Sequence, residues 1–366
     1  MKKNIWFSFP ACFLIYTLLR YPSAMLTATT ESIQLWLTNV FPSLFPFMVS
    51  CNILLRLGTA ENLSRFLRPF TKVLFGLEGI SAFPFFLGIL SGYPAGAKLT
   101  AQLYEKNLLS KEEAQHLLTF SNNPGPLFLI GTIGVGFFGV PFFGHLLLLS
   151  SILSAVTTGI LWRFFHKNPS VQYIRYVPPQ TKEPLSDLLS ASISDSIQTI
   201  LLVGGYLIFF GAFSEGIKQT GSFSFFAETL FFLPISQEML QGFLCGILEM
   251  TNGAYLLSRS GDSIRLQLSL ISFLVSFGGL AISGQTFSIL KNLPISKKDY
   301  MKGKLMNAFF SSHFCYHFFP FFEKKTQKAV PVFSIFTETA FTLSFLWLLP
   351  SLFLFGVLYH AIIHKR

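Results

Sequence analysis

The chain has 366 residues, 51% hydrophobic and 12% charged, with a mean hydropathy of +0.54. Soluble domains carry roughly 25% charged residues, so a soluble enzyme is excluded and a polytopic membrane protein is expected. The net charge of +10 does not imply nucleic acid: the cations flank apolar runs, as cytoplasmic loops do, and no nucleic-acid recognition motif accompanies them.

The first expected span is 5–20, preceded by Lys2 and Lys3. A retained first helix is expected, with a signal peptide ending near Ser23 and Ala24 the alternative. The second span, 33–55, contains Pro42 and Pro46, and the basic residues Arg56, Arg65, Arg68 and Lys72 follow it. The stretch 80–97, "ISAFPFFLGILSGYPAGA", ends in Gly88, Gly92, Pro94 and Gly96. Apolar residues closed by a glycine and proline tip predict a re-entrant hairpin, returning through "KLTAQLYEKN". Ser110 and Glu113 then have capping-box spacing, so a helix starts there. It runs into "SNNPGPLFLIG", within a stretch from Ala114 to Trp162 that lacks Asp, Glu, Lys and Arg. The next span is 141–163.

A proline-rich, mixed-charge linker at 167–186 divides the chain. The second half predicts a helix at 187–214, a broken hairpin at 225–257 and a span at 264–290. The basic "KNLPISKKDYMKGK" and two spans, 305–322 and 333–362, close the chain. The fold class is therefore an all-α polytopic membrane protein with about eight transmembrane helices and two re-entrant hairpins. Both termini and the basic segments 56–72, 163–182 and 291–304 are expected in the cytoplasm, and 215–222 outside. Lys324, Lys325 and Lys328 are the cluster that this topology places on the unfavoured side.

The halves share signatures at a near-constant displacement. "FFLGIL" at 85–90 answers "FLCGIL" at 243–248, 158 residues on. Gly96-Ala97 answers Gly253-Ala254, and Phe120 answers Phe277, both at 157. Behind Phe277 stands "GGLAISGQ", a second polar break. With the hairpins on opposite sides, the repeats are inverted, which is how many secondary transporters are built. The expected divisions are an N-terminal helix (1–32), a first repeat (33–166), the linker (167–186), a second repeat (187–304) and C-terminal helices (305–366).

"GILSGYPAGAKL", "SKEEA" and "FSNNPGPLF", followed by "GILEMTNGA", "SFGGLAISGQ" and the lysine- and tyrosine-rich segment, run in order from residue 33 to about 310. In these motifs the chain resembles the YlbJ-type sporulation integral membrane proteins. That family is similar to the nucleoside recognition (Gate) class and to the core of concentrative nucleoside transporters. In those transporters two hairpins and two broken helices hold the nucleoside; the resemblance implies a membrane protein of a spore-forming bacterium, acting during spore formation, and does not establish transport.

Several residues are candidates for solute binding or gating. Asn122 and Asn123 carry amides whose isolation in hydrocarbon is costly, and Pro124 and Pro126 remove two backbone donors beside them. They either line a polar site or cap the break and bond the partner repeat. Lys98 and Glu249 flank the two hairpin tips; ionisable groups at membrane depth face a cavity or one another, so an ion pair across the repeats is expected. Lys98 snorkelling and Glu249 in the headgroup layer is the alternative. Ser91, Tyr93, Thr251 and Asn252 occupy the tips, and Ser283 and Gln285 the second break. His313 and His317 share a helix face without a third ligand, so no metal site is expected. Cys12, Cys51, Cys245 and Cys315 stand isolated in apolar segments, as buried hydrophobes. No catalytic motif is present, and an enzyme is not expected.

The function expected is a transporter-like recognition of a small polar or nucleoside-like solute at the repeat interface. It needs no cofactor; Na+ or H+ is the coupling ion, through Glu249, unless movement is passive. The partners are the bilayer and the solute, with homo-oligomerisation open and nucleic acid excluded. The alternative is a non-transporting scaffold or sensor within a sporulation complex.

Overall fold

A computed structural model describes residues 5–57, 59–165, 184–229 and 235–326. Among these, all regular structure is helical. The linker expected at 167–186 falls almost wholly outside the described residues, and the span expected at 333–362 entirely so.

Helices α1 (Ile5–Arg20) and α2 (Pro22–Leu35) follow each other with one residue between them. Pro22 opens α2, where a missing N–H is harmless. α2 passes through a π-helical turn, Trp36–Val40, directly into α3 (Phe41–Arg56). The span expected at 33–55 is therefore the distal part of a helix that starts at Pro22. Its proximal part reads as polar, but Thr27, Thr29 and Ser32 bond back to the carbonyls four residues earlier. The basic segment after it is also helical, α4 (Thr59–Phe75). The chain then turns by 93° between Leu67–Phe75 and Gly79–Ser91.

The first hairpin is α5 (Ala82–Ser91) and α6 (Ala95–Glu105). α7 (Lys111–Leu118) starts at the expected capping box: the Ser110 N–H donates to Glu113 Oε2 at 2.9 Å, and the Glu113 N–H to Ser110 Oγ at 3.2 Å. Regular structure stops through the Asn-Asn-Pro stretch and resumes as a π-helical segment, Leu127–Phe137. α8 (Pro141–Phe165) follows.

In the second half, α9 (Leu185–Gln219) and α10 (Ser222–Thr229) precede the hairpin of α11 (Gln237–Leu248) and α12 (Met250–Arg259). α13 (Ile264–Phe277) and α14 (Gly279–Ile289) form one interrupted helix, broken at Gly278, whose φ of 85° is left-handed. α15 (Lys297–Thr326) begins eight residues before the expected 305. Half of the basic segment read as a cytoplasmic loop is thus helix.

Among the described residues, three helical stretches are long and apolar enough to cross a membrane: Pro141–Phe164, Leu185–Gln219 and Ile264–Ile289. The bent pair at 67–91 makes a fourth if it counts as one span. α8 packs along α15, and α3 along α9. Two apolar clusters hold the halves. One gathers Phe75, Phe85 and Phe120, with the Phe75 and Phe120 ring centroids 4.4 Å apart. The other joins Leu146 and Leu147 of α8 to Leu268, Leu274 and Cys315.

Candidate functional site

Both hairpins close by backbone approach. A methyl group at Gly88 or Gly96 would collide with the Ser121 carbonyl, and one at Gly253 with the Gly246 backbone. The first tip lies directly on the first break: a Cβ at Gly92, where φ is +89°, would sit 2.6 Å from the Gly125 nitrogen. Gly279 of the second break packs against the Gly246 and Leu248 carbonyls of the second hairpin. Glycine is required here because backbone meets backbone.

These four elements, together with residues 35–44 and α9, line a partly open cavity of about 440 Å³, within the size range of small-molecule sites. Its polar lining comes from Ser91 and Tyr93 at the first tip, Glu249 and Thr251 at the second, Gln285 in the second break, Thr132 after the first break and Thr38 in the π-helical turn. Pro124 and Gly125 contribute the first break, and Phe128, Met250 and Ile282 much of the apolar wall. Among the described residues, no lysine or arginine lines it. Ser91 Oγ and Gln285 Oε1 are buried and have no hydrogen-bond partner among the described residues. Leaving such atoms unpaired costs about 1–3 kcal/mol each.

Glu249 ends α11 and caps α12. Its Oε1 accepts the Thr251 N–H at 2.9 Å and its Oε2 the Asn252 N–H at 2.8 Å. The positive end of α12 thus faces the carboxylate. Glu249 and Thr251 also line a second cavity, of about 320 Å³, which contains Asn252, Glu31, Glu215 and Lys218. Glu249 therefore stands where the two cavities meet.

The other expected residues lie behind the wall. Asn122 Nδ2 donates to Thr286 Oγ1 at 3.1 Å and to the Tyr300 hydroxyl at 3.0 Å. Asn123 Nδ2 donates to the Phe120 carbonyl at 2.6 Å, and its Oδ1 accepts from Asn307 Nδ2 at 2.9 Å. Asn307 in turn accepts from Ser154. These amides bind the break to α14 and α15 and are not among the cavity-lining residues. Ser283 Oγ donates to the Gly279 carbonyl and is likewise absent from the lining. The expected Lys98–Glu249 ion pair is not formed. Lys98 Nζ donates instead to the Asp195 carbonyl at 2.9 Å and to Thr199 Oγ1 at 2.6 Å, because α6 faces α9 at that register. His313 and His317 lie side by side, with ring centroids 4.4 Å apart.

One buried cation escaped the sequence reading. Lys304, expected in a cytoplasmic loop, is fully buried on α15. Its Nζ donates to the Asn122 carbonyl at 2.7 Å and to the Tyr93 hydroxyl at 2.9 Å. Tyr93 donates onward to the Val275 and Ser276 carbonyls at 2.8 and 3.1 Å. The signal lay in spacing: Tyr300, Lys304, Asn307 and Ser311 recur on one helical face, and all four are buried.

Comparison with known proteins places these features in context. The sequence profile of the nucleoside recognition (Gate) family matches residues 37–161. The sporulation integral membrane protein YlbJ of Bacillus subtilis (strain 168) is 30% identical over 325 residues, covering 82% of this chain and 79% of that protein. No solved structure matches.

Proposed function

The chain belongs to the family of the sporulation integral membrane protein YlbJ, and on that premise we propose that it is a transporter-like protein of spore formation. It holds a small polar, nucleoside-like solute in the 440 Å³ cavity. One observation carries this reading: both hairpin tips and both helix breaks border a single cavity, and two of its lining residues, Ser91 and Gln285, each hold a buried oxygen with no partner among the described residues. A solute hydroxyl or amine satisfies Gln285, Ser91 and the open lone pairs of Glu249, while a flat apolar face rests on Phe128, Met250 and Ile282. A buried carboxylate without a lining cation repels phosphate, so the preferred solute is unphosphorylated.

The same reading takes the halves as inverted repeats. In its support, hairpin, interrupted helix and long helix recur in order, and the glycine pinches at 88 and 96 answer those at 246 and 253. It counts eight spans: α1, α2–α3, α7 with Leu127–Phe137, α8, α9, α13–α14, α15 and the segment 333–362. Both termini are then cytoplasmic. Cysteines introduced at Gly221 and Lys298 test this, since the first must label from outside and the second from inside.

Uptake of labelled nucleosides into proteoliposomes tests the solute. Expected are saturable uptake by the wild type and loss of at least about tenfold in Glu249→Gln, the scale of a charge-assisted hydrogen bond. If folded protein neither binds nor moves any such solute while spores still require it, the scaffold reading replaces this one.

A further inference from the structure

Lys304 has no exposed surface, and no carboxylate pairs with it among the described residues. An ammonium buried in this way must be compensated by its surroundings. The compensation is one backbone carbonyl and the Tyr93 side chain, whose ring centroid also lies 4.8 Å from Nζ. The Asn122 carbonyl, just past the C-terminal end of α7, accepts from Nζ at 2.7 Å. The Tyr93 hydroxyl accepts at 2.9 Å and links the ammonium to the Val275 and Ser276 carbonyls in the last turn of α13. Helix C-terminal ends carry negative potential; that of α13 reaches this amine through the Tyr93 hydroxyl, and the unwound Asn122 carbonyl beyond α7 reaches it directly. Asn122 is itself fixed by Thr286 and Tyr300, which aims its carbonyl.

Unwound carbonyls and half-helix C-terminal ends are the groups with which broken-helix transporters hold a coupling metal ion. We propose that the Lys304 ammonium is the resident cation of this junction, a tethered monovalent charge standing where an alkali ion would otherwise bind. The two helix breaks are then held together without Na+. Of the coupling ions open to the proposed function, Na+ at this junction is removed. The inference depends on that function only in what it says about coupling, because the charge at the junction is measurable without a solute.

The test is thermal unfolding of the purified full chain in equal concentrations of sodium, potassium and choline chloride. Wild type unfolds at the same temperature in all three. Lys304→Ala removes the ammonium and three methylenes, leaving a hole the size of propylammonium, and unfolds roughly 5–10 °C lower in choline. Sodium or methylammonium restores at least half of that loss, saturably. Lys304→Met fills the space without charge, is destabilised, and responds to none of the salts. Any of three results overturns the proposal: saturable stabilisation of wild type by sodium over choline, a folded Lys304→Ala that no cation or amine restores, or a Lys304→Met as stable as wild type. If Lys304→Ala does not fold in choline, it is prepared in methylammonium; failure there, while Lys304→Met folds, also overturns it. Absence of any transported solute sinks the proposed function and not this inference, and absence of cation rescue sinks this inference and not that function.

Discussion

The two hairpin tips use the same closure and differ in what holds them. At the first, Gly92 lies on Gly125, Tyr93 reaches α13 and Lys304, and Lys98 one turn on is fastened to α9. The Tyr93 and Lys98 side-chain bonds all cross to other elements. At the second, the Glu249 carboxylate accepts the Thr251 and Asn252 amides of its own hairpin, Cys245 meets Ser214 of α9, and Asn252 is exposed. The first tip is therefore built into the body of the protein, and the second is fastened mainly to itself. On the proposed function the second hairpin is the moving gate, since moving it breaks fewer polar bonds.

The largest effects come from the closure the tips share. Gly96→Val drives a side chain into the Ser121 carbonyl, and Gly253→Val drives one into the Gly246 backbone. Overpacking against backbone costs about 3 kcal/mol or more, because no rotamer relieves it. Both variants are expected to yield little monodisperse protein on size-exclusion chromatography. Gly205→Val meets nothing within 4 Å and shifts stability by less than about 0.5 kcal/mol. Collapse of the first variant alone would break the parallel between hairpins.

Next in size are substitutions at the tips themselves, which should separate the fixed tip from the moving one. Tyr93→Phe removes the hydroxyl that joins Lys304 to α13, costing about 1.5–3 kcal/mol in unfolding free energy. Glu249→Gln keeps one acceptor for the α12 cap and loses about 1 kcal/mol or less. Its solute uptake nevertheless falls much further than that of any variant of equal stability. Equal loss of uptake and stability in both variants would erase the distinction.

The hairpins and breaks were legible because irregular backbone at membrane depth needs residues that are conspicuous in an apolar chain. Gly92 with Gly96, Asn122 through Pro126, and Gly278 with Gly279 each mark an interruption that the structure contains. Residues that act through a partner's register were not legible. Lys98 was matched to Glu249 by position along the repeats, yet its partners are set by the turn of α9 that brings Asp195 and Thr199 to it. Lys304 was hidden among exposed lysines, because the charge of a segment says nothing about which helical face each charge occupies. Asn122 and Asn123 were legible as costly amides, but chemistry alone could not tell a site-facing amide from one bonded to α14 and α15.

A smaller effect tests that last distinction. Asn123→Ala and Asn307→Ala each remove one side of a buried bond. Hydrogen bonds between membrane helices are worth about 0.6–1.7 kcal/mol. The double variant should therefore lose less than the sum of the singles, a coupling measurable by a double-mutant cycle. Additive losses would mean that the two amides do not hold the break to α15.

The smallest stability effect is expected at Ser91, and its sign is the informative part. The Ser91 hydroxyl is buried beside the cavity with no partner among the described residues. Ser91→Ala removes a polar group that folding leaves unsatisfied, so stability stays within about 0.5 kcal/mol or rises. If the hydroxyl serves the solute, the same change weakens solute affinity by about fivefold, one neutral hydrogen bond. Tyr93→Phe, two residues away, does the opposite: it costs the fold more than the solute. Measured together, the two variants divide one tip into a strut and a contact. Should Ser91→Ala cost stability and leave affinity unchanged, the first tip contributes no contact to the site, and recognition falls to Glu249, Thr251 and Gln285 alone.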